Sequence, residues 1–200
     1  GLAGCWPLSP CIVDGYVHHM PVDYRFGKLT KLIDRVIHDE DNVNLIDSTP
    51  LLFMHLSLFG LFFVGFSWVA FWTCVGLYLL RVFALTGGYH RYFSHNSYKT
   101  SRVFQFVLAF IGGMSAQLGA LWWAAHHRHH HLYSDQKEDI HSPRQKGLFW
   151  SHIGWIMCRK YAGTELERIP DFARFPEIRF LDRFHVIPPI LLAVGLFVLG

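Results

Sequence analysis

Apolar residues run almost without interruption from Leu51 to Leu85. As one helix at about 1.5 Å per residue this stretch would reach roughly 50 Å, well beyond a hydrocarbon core of about 30 Å, so the pattern predicts two spans rather than one. Pro50 behind Ser48 or Thr49 suits a first helical turn, Gly65-Phe66-Ser67 marks the reversal, and Trp68 to Leu85 forms the return. A further apolar segment, Val103 to Trp123, is interrupted by Gly112-Gly113, Gln117 and Gly119. It reads as a buried or re-entrant helix, because a clean crossing would place the histidines before and after it on opposite faces of the membrane. Upstream, Leu29, Leu32, Ile33, Val36 and Ile37 recur at helical spacing, which predicts an amphipathic helix over Lys28 to Ile37. The chain closes on another apolar run, Val186 to Leu199.

The predicted fold class is an all-α integral membrane protein, multi-pass, with a transmembrane helical hairpin and a helical cytoplasmic cap. Residues 1–48 form a cytoplasmic arm, 49–86 the hairpin, 87–184 the cap with its re-entrant helix near 103–123, and 185–200 the start of a third span. Lys and Arg residues spread from Lys99 to Arg183, joined by Arg25, Lys28, Lys31 and Arg35 on the arm, assign these polar regions to the cytoplasmic face. Opening on Gly1 and stopping inside an apolar run, the sequence reads as a piece of a longer chain, inactive alone.

Composition supports a membrane class: 52% of residues are hydrophobic and only 16% charged, against about 25% charged in ordinary soluble domains. The net charge of +3 is dispersed among acidic and aromatic residues, so nucleic acid is excluded as a partner. Cys5, Cys11, Cys74 and Cys158 form no Cys-x-x-Cys pair, which leaves neither a disulfide framework nor a thiolate zinc site.

Two histidine groups carry the chemistry. His90 and His95 close the second apolar run, and His126, His127, His129, His130 and His131 follow Trp122-Trp123. On a helix turning about 100° per residue, His127, His130 and His131 share one face, and so do His126, His129 and His130; geometry does not choose between the frames. His90 and His95 fall about 140° apart on an ideal helix, which predicts that the helix ends between them. Because both groups abut apolar sequence and aromatics, a metal centre is favoured over a loose surface chelator; ligand softness alone admits iron, zinc, copper or nickel. His55, inside the first span, is expected to make a backbone bond or to pack.

Thr86-Gly87-Gly88-Tyr89-His90-Arg91-Tyr92-Phe93-Ser94-His95, then His127-Arg128-His129-His130-His131, Asp139-Ile140-His141 and Gly147 to Trp155 resemble the ordered motifs of membrane fatty acid desaturases of the stearoyl-CoA type, closest to the bacterial branch. Ile140 stands where the family has proline, and His126 where its animal acyl-CoA members have an acidic residue. The resemblance implies a two-iron centre with His90, His95, His127, His130 and His131 as ligands, further ligands being expected beyond residue 200. It implies an acyl tunnel touched by Gln117 and Trp123, and a basic pair, Arg159 and Lys160, that meets head-group phosphates. Asp135, Glu138 and Asp139 are candidates to orient ligand imidazoles. The implied reaction is O2-dependent introduction of a cis double bond at Δ9 of a fatty acyl chain, coenzyme A- or lipid-linked. Electrons would come from a ferredoxin or a b-type cytochrome with its reductase. The implied location is the bacterial inner membrane, or the endoplasmic reticulum in a eukaryote. Competing expectations are a hydroxylase or alkane monooxygenase on the same scaffold and, from another class, a histidine-rich metal transporter or sensor.

Overall fold

The computed structural model describes residues 12–13, 16–17, 44–46 and 48–200. In the N-terminal unit the segments Ile12–Val13 and Tyr16–Val17 pair antiparallel; the amphipathic helix expected over Lys28 to Ile37 lies outside the described residues. The second compact unit is Glu40–Gly200.

Pro50 sits in the first turn of helix Thr49–Ser57, which tightens into a 3-10 stretch over Leu58–Phe63. Val64 is extended, and Ser67 caps the next helix by accepting the Ala70 N–H. Trp68–Phe83 is α-helical and, contrary to an end near Leu85, continues without a break as a π-helix over Ala84–Ser94. Trp68–Ser94 is therefore a single 27-residue element, the one helix among the described residues long and apolar enough to cross a membrane, judged by length and composition. Thr49–Phe63 is apolar but shorter. Along both arms the side chains face outward: Phe62, Phe63, Val69 and Trp72 are exposed, and no residue of Trp68–Phe83 is buried. So much contiguous apolar surface marks a surface that meets something other than water.

The segment Val103 to Trp123 is not one helix. Ser101 caps Arg102–Gly113 by accepting the Phe104 N–H. The chain then breaks over Met114 to Gly119, with Ala116 and Leu118 in left-handed backbone, and a new helix, Ala120–Leu132, carries the second histidine group. Arg102–Gly113 packs against the π segment. Tyr89 lies over Gly112, where any Cβ would come within 2.3 Å of the ring, and its hydroxyl donates to the Ala109 carbonyl at 3.2 Å.

The core joins these helices to the short ones that follow. Tyr89, Phe93, Leu108, Leu121, Ile169 and Ile178 are essentially inaccessible and form one cluster with Phe172 and Leu181. At about 1.5–3 kcal/mol for each fully buried large side chain, this cluster fixes the histidine helix against the π segment. Proline-initiated helices Pro170–Ala173 and Pro176–Arg183 close it from the other side. The chain then bends by 69° into the apolar helix Ile187–Leu199.

Candidate metal centre

The π-helix decides the geometry of the first histidine pair. In i→i+5 bonding a residue five positions on lies one turn above its partner; here the His95 N–H donates to the His90 carbonyl at 3.2 Å. The rings therefore meet, with Nε2 atoms 3.1 Å apart. The helix does end between them, at Ser94 with His95 as its C-cap, as the sequence predicts; the spacing does not foretell that the closing turns are π rather than α, which removes the 140° offset.

The second pair comes from Ala120–Leu132, where His127 and His131, one α-turn apart, hold their Nε2 atoms at 3.0 Å. His95 Nε2 and His127 Nε2 lie 3.2 Å apart, which joins the two pairs. The four ligand nitrogens of His90, His95, His127 and His131 all fall within 4.8 Å of one another, with His95 and His131 on the more exposed side.

Hydrogen bonding within each pair accounts for two of these contacts but not for the third at the same time. A neutral imidazole Nε2 has either one proton or one lone pair, yet His95 Nε2 and His127 Nε2 each face two other nitrogens. Four lone pairs turned on one cation resolve the conflict. With metal–nitrogen bonds of about 2.1 Å, neighbouring ligand nitrogens fall about 3.0 Å apart in octahedral and about 3.4 Å apart in tetrahedral coordination, which brackets the observed spacings. Protonation agrees: burial, then the neighbouring imidazoles His131, His90, His95 and His130, push His127 down to about 3. Burial and the adjacent cations lower His95 as well. Both are neutral near pH 7, the form that binds metals.

His130 is not in this group. Its Nδ1 lies 3.0 Å from Oδ1 of Asp139, a carboxylate with no accessible surface, which also accepts the N–H groups of Asp135 and His141. Burial opposes ionisation of Asp139, but these bonds outweigh it and hold the carboxyl below its ordinary range. His130, Asp139 and His141 form a second set of ligand atoms within 4.8 Å. His141 stacks between His130 and Trp155, and burial, followed by the charge of His130, pushes it down to about 4.

The other histidines are engaged elsewhere. His126 is buried, its Nδ1 2.9 Å from the Trp122 carbonyl and its ring against Trp122 and Trp155. His129 Nε2 lies 2.8 Å from the Glu138 carbonyl. The frame His126, His129 and His130 is thus not assembled. His55 bonds the Leu51 carbonyl at 2.8 Å.

Of the remaining predicted residues, Trp123 stacks on His127 with centroids 4.7 Å apart and reaches His90 at 6.3 Å, so it walls the cluster. Gln117 is exposed in the break before the histidine helix. Arg159 and Lys160 are exposed on the 3-10 turn Arg159–Tyr161, whose Tyr161 carbonyl accepts the Trp122 indole N–H at 2.7 Å. Asp135 turns to Ser142, and Glu138 meets His129 only through its backbone.

Sequence reasoning missed Asp182. Gly119 begins the histidine helix without a capping side chain, and Asp182 does the capping from Pro176–Arg183, its Oδ1 accepting the Trp122 N–H at 2.9 Å while Oδ2 accepts the Thr164 hydroxyl at 2.7 Å. A Cβ at Gly119 would lie 2.0 Å from that oxygen. The only local signal was a capping position filled by glycine, which states that a cap is wanted but not where it comes from.

Helices that bring two histidine pairs to one point, at the end of a long apolar element, define a helical protein with a nitrogen-rich cluster that could hold a metal ion. Residues 66–200 match the fatty acid desaturase family, and the chain belongs to it. The chain is 32% identical over 161 residues to the sn-1 stearoyl-lipid 9-desaturase of Anabaena variabilis, covering 79% of this chain and 59% of that protein. It is 32% identical to the sn-2 palmitoyl-lipid 9-desaturase of a Nostoc species, covering 77% and 58%, and 36% identical to an acyl-CoA 5-desaturase of Anemone leveillei, covering 68% and 43%. The chain thus spans about half the length of the curated relatives it matches.

Proposed function

We propose that the full-length protein is an O2-dependent fatty acyl desaturase that introduces a cis double bond at Δ9, with its metal centre on the cytoplasmic face of a membrane. The observation that carries this reading is the group of four Nε2 atoms, whose three close contacts cannot all be hydrogen bonds at once, set beside an apolar helix in a chain of the desaturase family. His90, His95, His127 and His131 would hold one iron. His130, its ring oriented by Asp139, would hold a second whose other ligands the family resemblance places beyond residue 200.

An acyl methylene has no acidic proton for a general base to remove; the iron pair, when bound, supplies the O2-derived oxidising power that C–H cleavage requires, with electrons from a ferredoxin or b-type cytochrome. This chain's own residues set the surroundings. Asp139 keeps the His130 Nδ1 side occupied so that Nε2 is the free ligand atom. Trp123 lays an apolar plane against His127 and excludes water where the acyl chain would pass, with Gln117 nearby in sequence at the break. Arg159 and Lys160 would meet an anionic head group. The lipid 9-desaturases among the relatives support Δ9 on a lipid-linked acyl group, while the acyl-CoA 5-desaturase keeps a coenzyme A thioester as the second reading.

The test is expression of the full-length protein in a desaturase-deficient host fed a saturated fatty acid, with gas chromatography of lipid methyl esters and a His127→Ala, His131→Ala control. A cis-9 monounsaturated product absent from the control is expected. A hydroxylated product instead would transfer the assignment to a monooxygenase, and exchangeable zinc with no product would transfer it to metal transport.

A further inference from the structure

The four-histidine group is assembled from two elements joined through His95 and His127, 32 residues apart, and this single imidazole contact of 3.2 Å is too little to set their register. The geometry points to Arg128, paired with Asp171, as the positioning residue that sets the distance between the two histidine pairs; this inference rests on the metal reading of the cluster.

Arg128 follows His127 directly, and its guanidinium reaches across to the end of the π segment. Its Nε donates to the Ser94 carbonyl at 2.9 Å and Nη2 to the Phe93 carbonyl at 2.8 Å. These are carbonyls of the last turn of the π-helix, where intrahelical donors run out, and they immediately precede His95. The remaining donors go to Asp171: Nη1 to Oδ1 at 2.9 Å and Nη2 to Oδ2 at 2.8 Å, with Nη1 also reaching the Arg168 carbonyl at 3.1 Å. All five N–H groups of the side chain are used. Asp171 is held in turn by Asn96, whose Nδ2 donates to Oδ2 at 2.5 Å. Asn96 follows His95 and has left-handed backbone, with φ of 51°. One planar fork is therefore tied to the backbone just before His95, to the carboxylate that holds the residue just after it, and, through its own Cα, to His127.

A lysine could supply the charge but not this pattern, since an ammonium has three donors radiating from a point rather than five in a plane. The arrangement is specific in another respect. The histidine helix is also anchored at its start by Asp182 and along its apolar face by the core. What Arg128 adds is the registration of the His90–His95 pair on the His127–His131 pair.

The experiment uses the full-length parent protein in detergent, stripped of metal and titrated with Co2+, whose visible bands report ligand number and geometry. Arg128→Lys and Asp171→Asn are compared with the unaltered protein and with His127→Ala. Arg128→Lys is expected to weaken Co2+ binding by about 10–100-fold, as loss of groups that orient metal ligands does, and to shift the bands. Asp171→Asn should act in the same direction with a smaller effect. In the metal-free protein Arg128→Lys should also speed amide hydrogen exchange at His95 to Ser97 while leaving Trp68–Phe83 unchanged. A lowered melting temperature with unshifted bands and unchanged affinity would overturn the proposal, because Arg128 would then only stabilise the fold. So would rescue by lysine of both affinity and spectrum. If Arg128→Lys does not fold, Asp171→Asn decides by the same criteria. Failure of the unaltered protein to bind Co2+ through His127 would instead remove the metal reading itself, and this inference with it.

Discussion

Two clusters of ligand atoms stand side by side and are built on opposite principles. The group of His90, His95, His127 and His131 contains no carboxylate, and its nitrogens face one another. The group of His130, Asp139 and His141 centres on a fully buried carboxylate that accepts from one imidazole and two backbone N–H groups. The second is oriented by that carboxylate, although His141 Nδ1 has no hydrogen-bond partner; the first has no carboxylate, and a cation would satisfy all of its contacts at once. A shared residue type in one short helix thus serves two purposes, and what separates them is whether a carboxylate occupies the Nδ1 side of the ring.

The largest effect should come from the unsatisfied cluster. His127→Ala removes the nitrogen that faces both His95 and His131, and is expected to abolish metal binding by the four-histidine group, read as a drop in metal-to-protein ratio by elemental analysis. Asp139→Asn tests the other principle. It leaves the volume intact but removes the charge that orients His130, and should reduce affinity for the second metal, or activity, by about 10–100-fold; an unaltered metal content in this variant would mean that His130 is held without Asp139.

Smaller effects bear on the scaffold common to both clusters. Gly112→Val places methyl groups inside the Tyr89 ring and should destabilise the protein by about 1–3 kcal/mol, read by thermal unfolding, whereas the same change at the open Gly76 should do little in the folded unit. Ser101→Ala removes the cap of Arg102–Gly113 and should cost about 1 kcal/mol. Acid compares the two clusters through one histidine of each. His127 and His141 titrate near 3 and 4 when folded and near 6.5 when unfolded, so between those values the unfolded chain binds more protons. Metal-free protein should therefore lose stability as pH falls from about 6.5 towards 4, and His141→Phe should flatten the slope of melting temperature against pH.

Much of the site was legible in the sequence because it is written in short periods. His127 and His131 are one helical turn apart, and any helix brings them together. The break at Met114 to Gly119 falls where glycines and Gln117 interrupt the apolar run. The π-helix was not legible: its residues have no composition that distinguishes them from an α-helix, and packing of Tyr89, Phe93 and Leu108 stabilises the wider form only once the partner helix is present. Nor could periodicity reveal Asp171 and Asp182, which act 43 and 60 residues away from the groups they hold. Long-range carboxylates leave no mark in local spacing. The separation of His130 from its neighbours in the same motif follows from Asp139 for a related reason: a face of a helix is shared, but each ring turns towards its own partner.

The π segment also has a consequence for chain length. A π turn is an α turn with one residue added, so the five-residue interval from His90 to His95 is itself the measuring device. Deleting any one residue between them would let the helix relax to α and bring the two histidines to i and i+4, still one turn apart, with the residues downstream keeping their direction. Of Arg91 to Ser94 only Arg91 is exposed; substitution should be tolerated there and resisted at the buried Tyr92, Phe93 and Ser94, so a shorter spacer would keep the histidines together only if it also kept these three in the core.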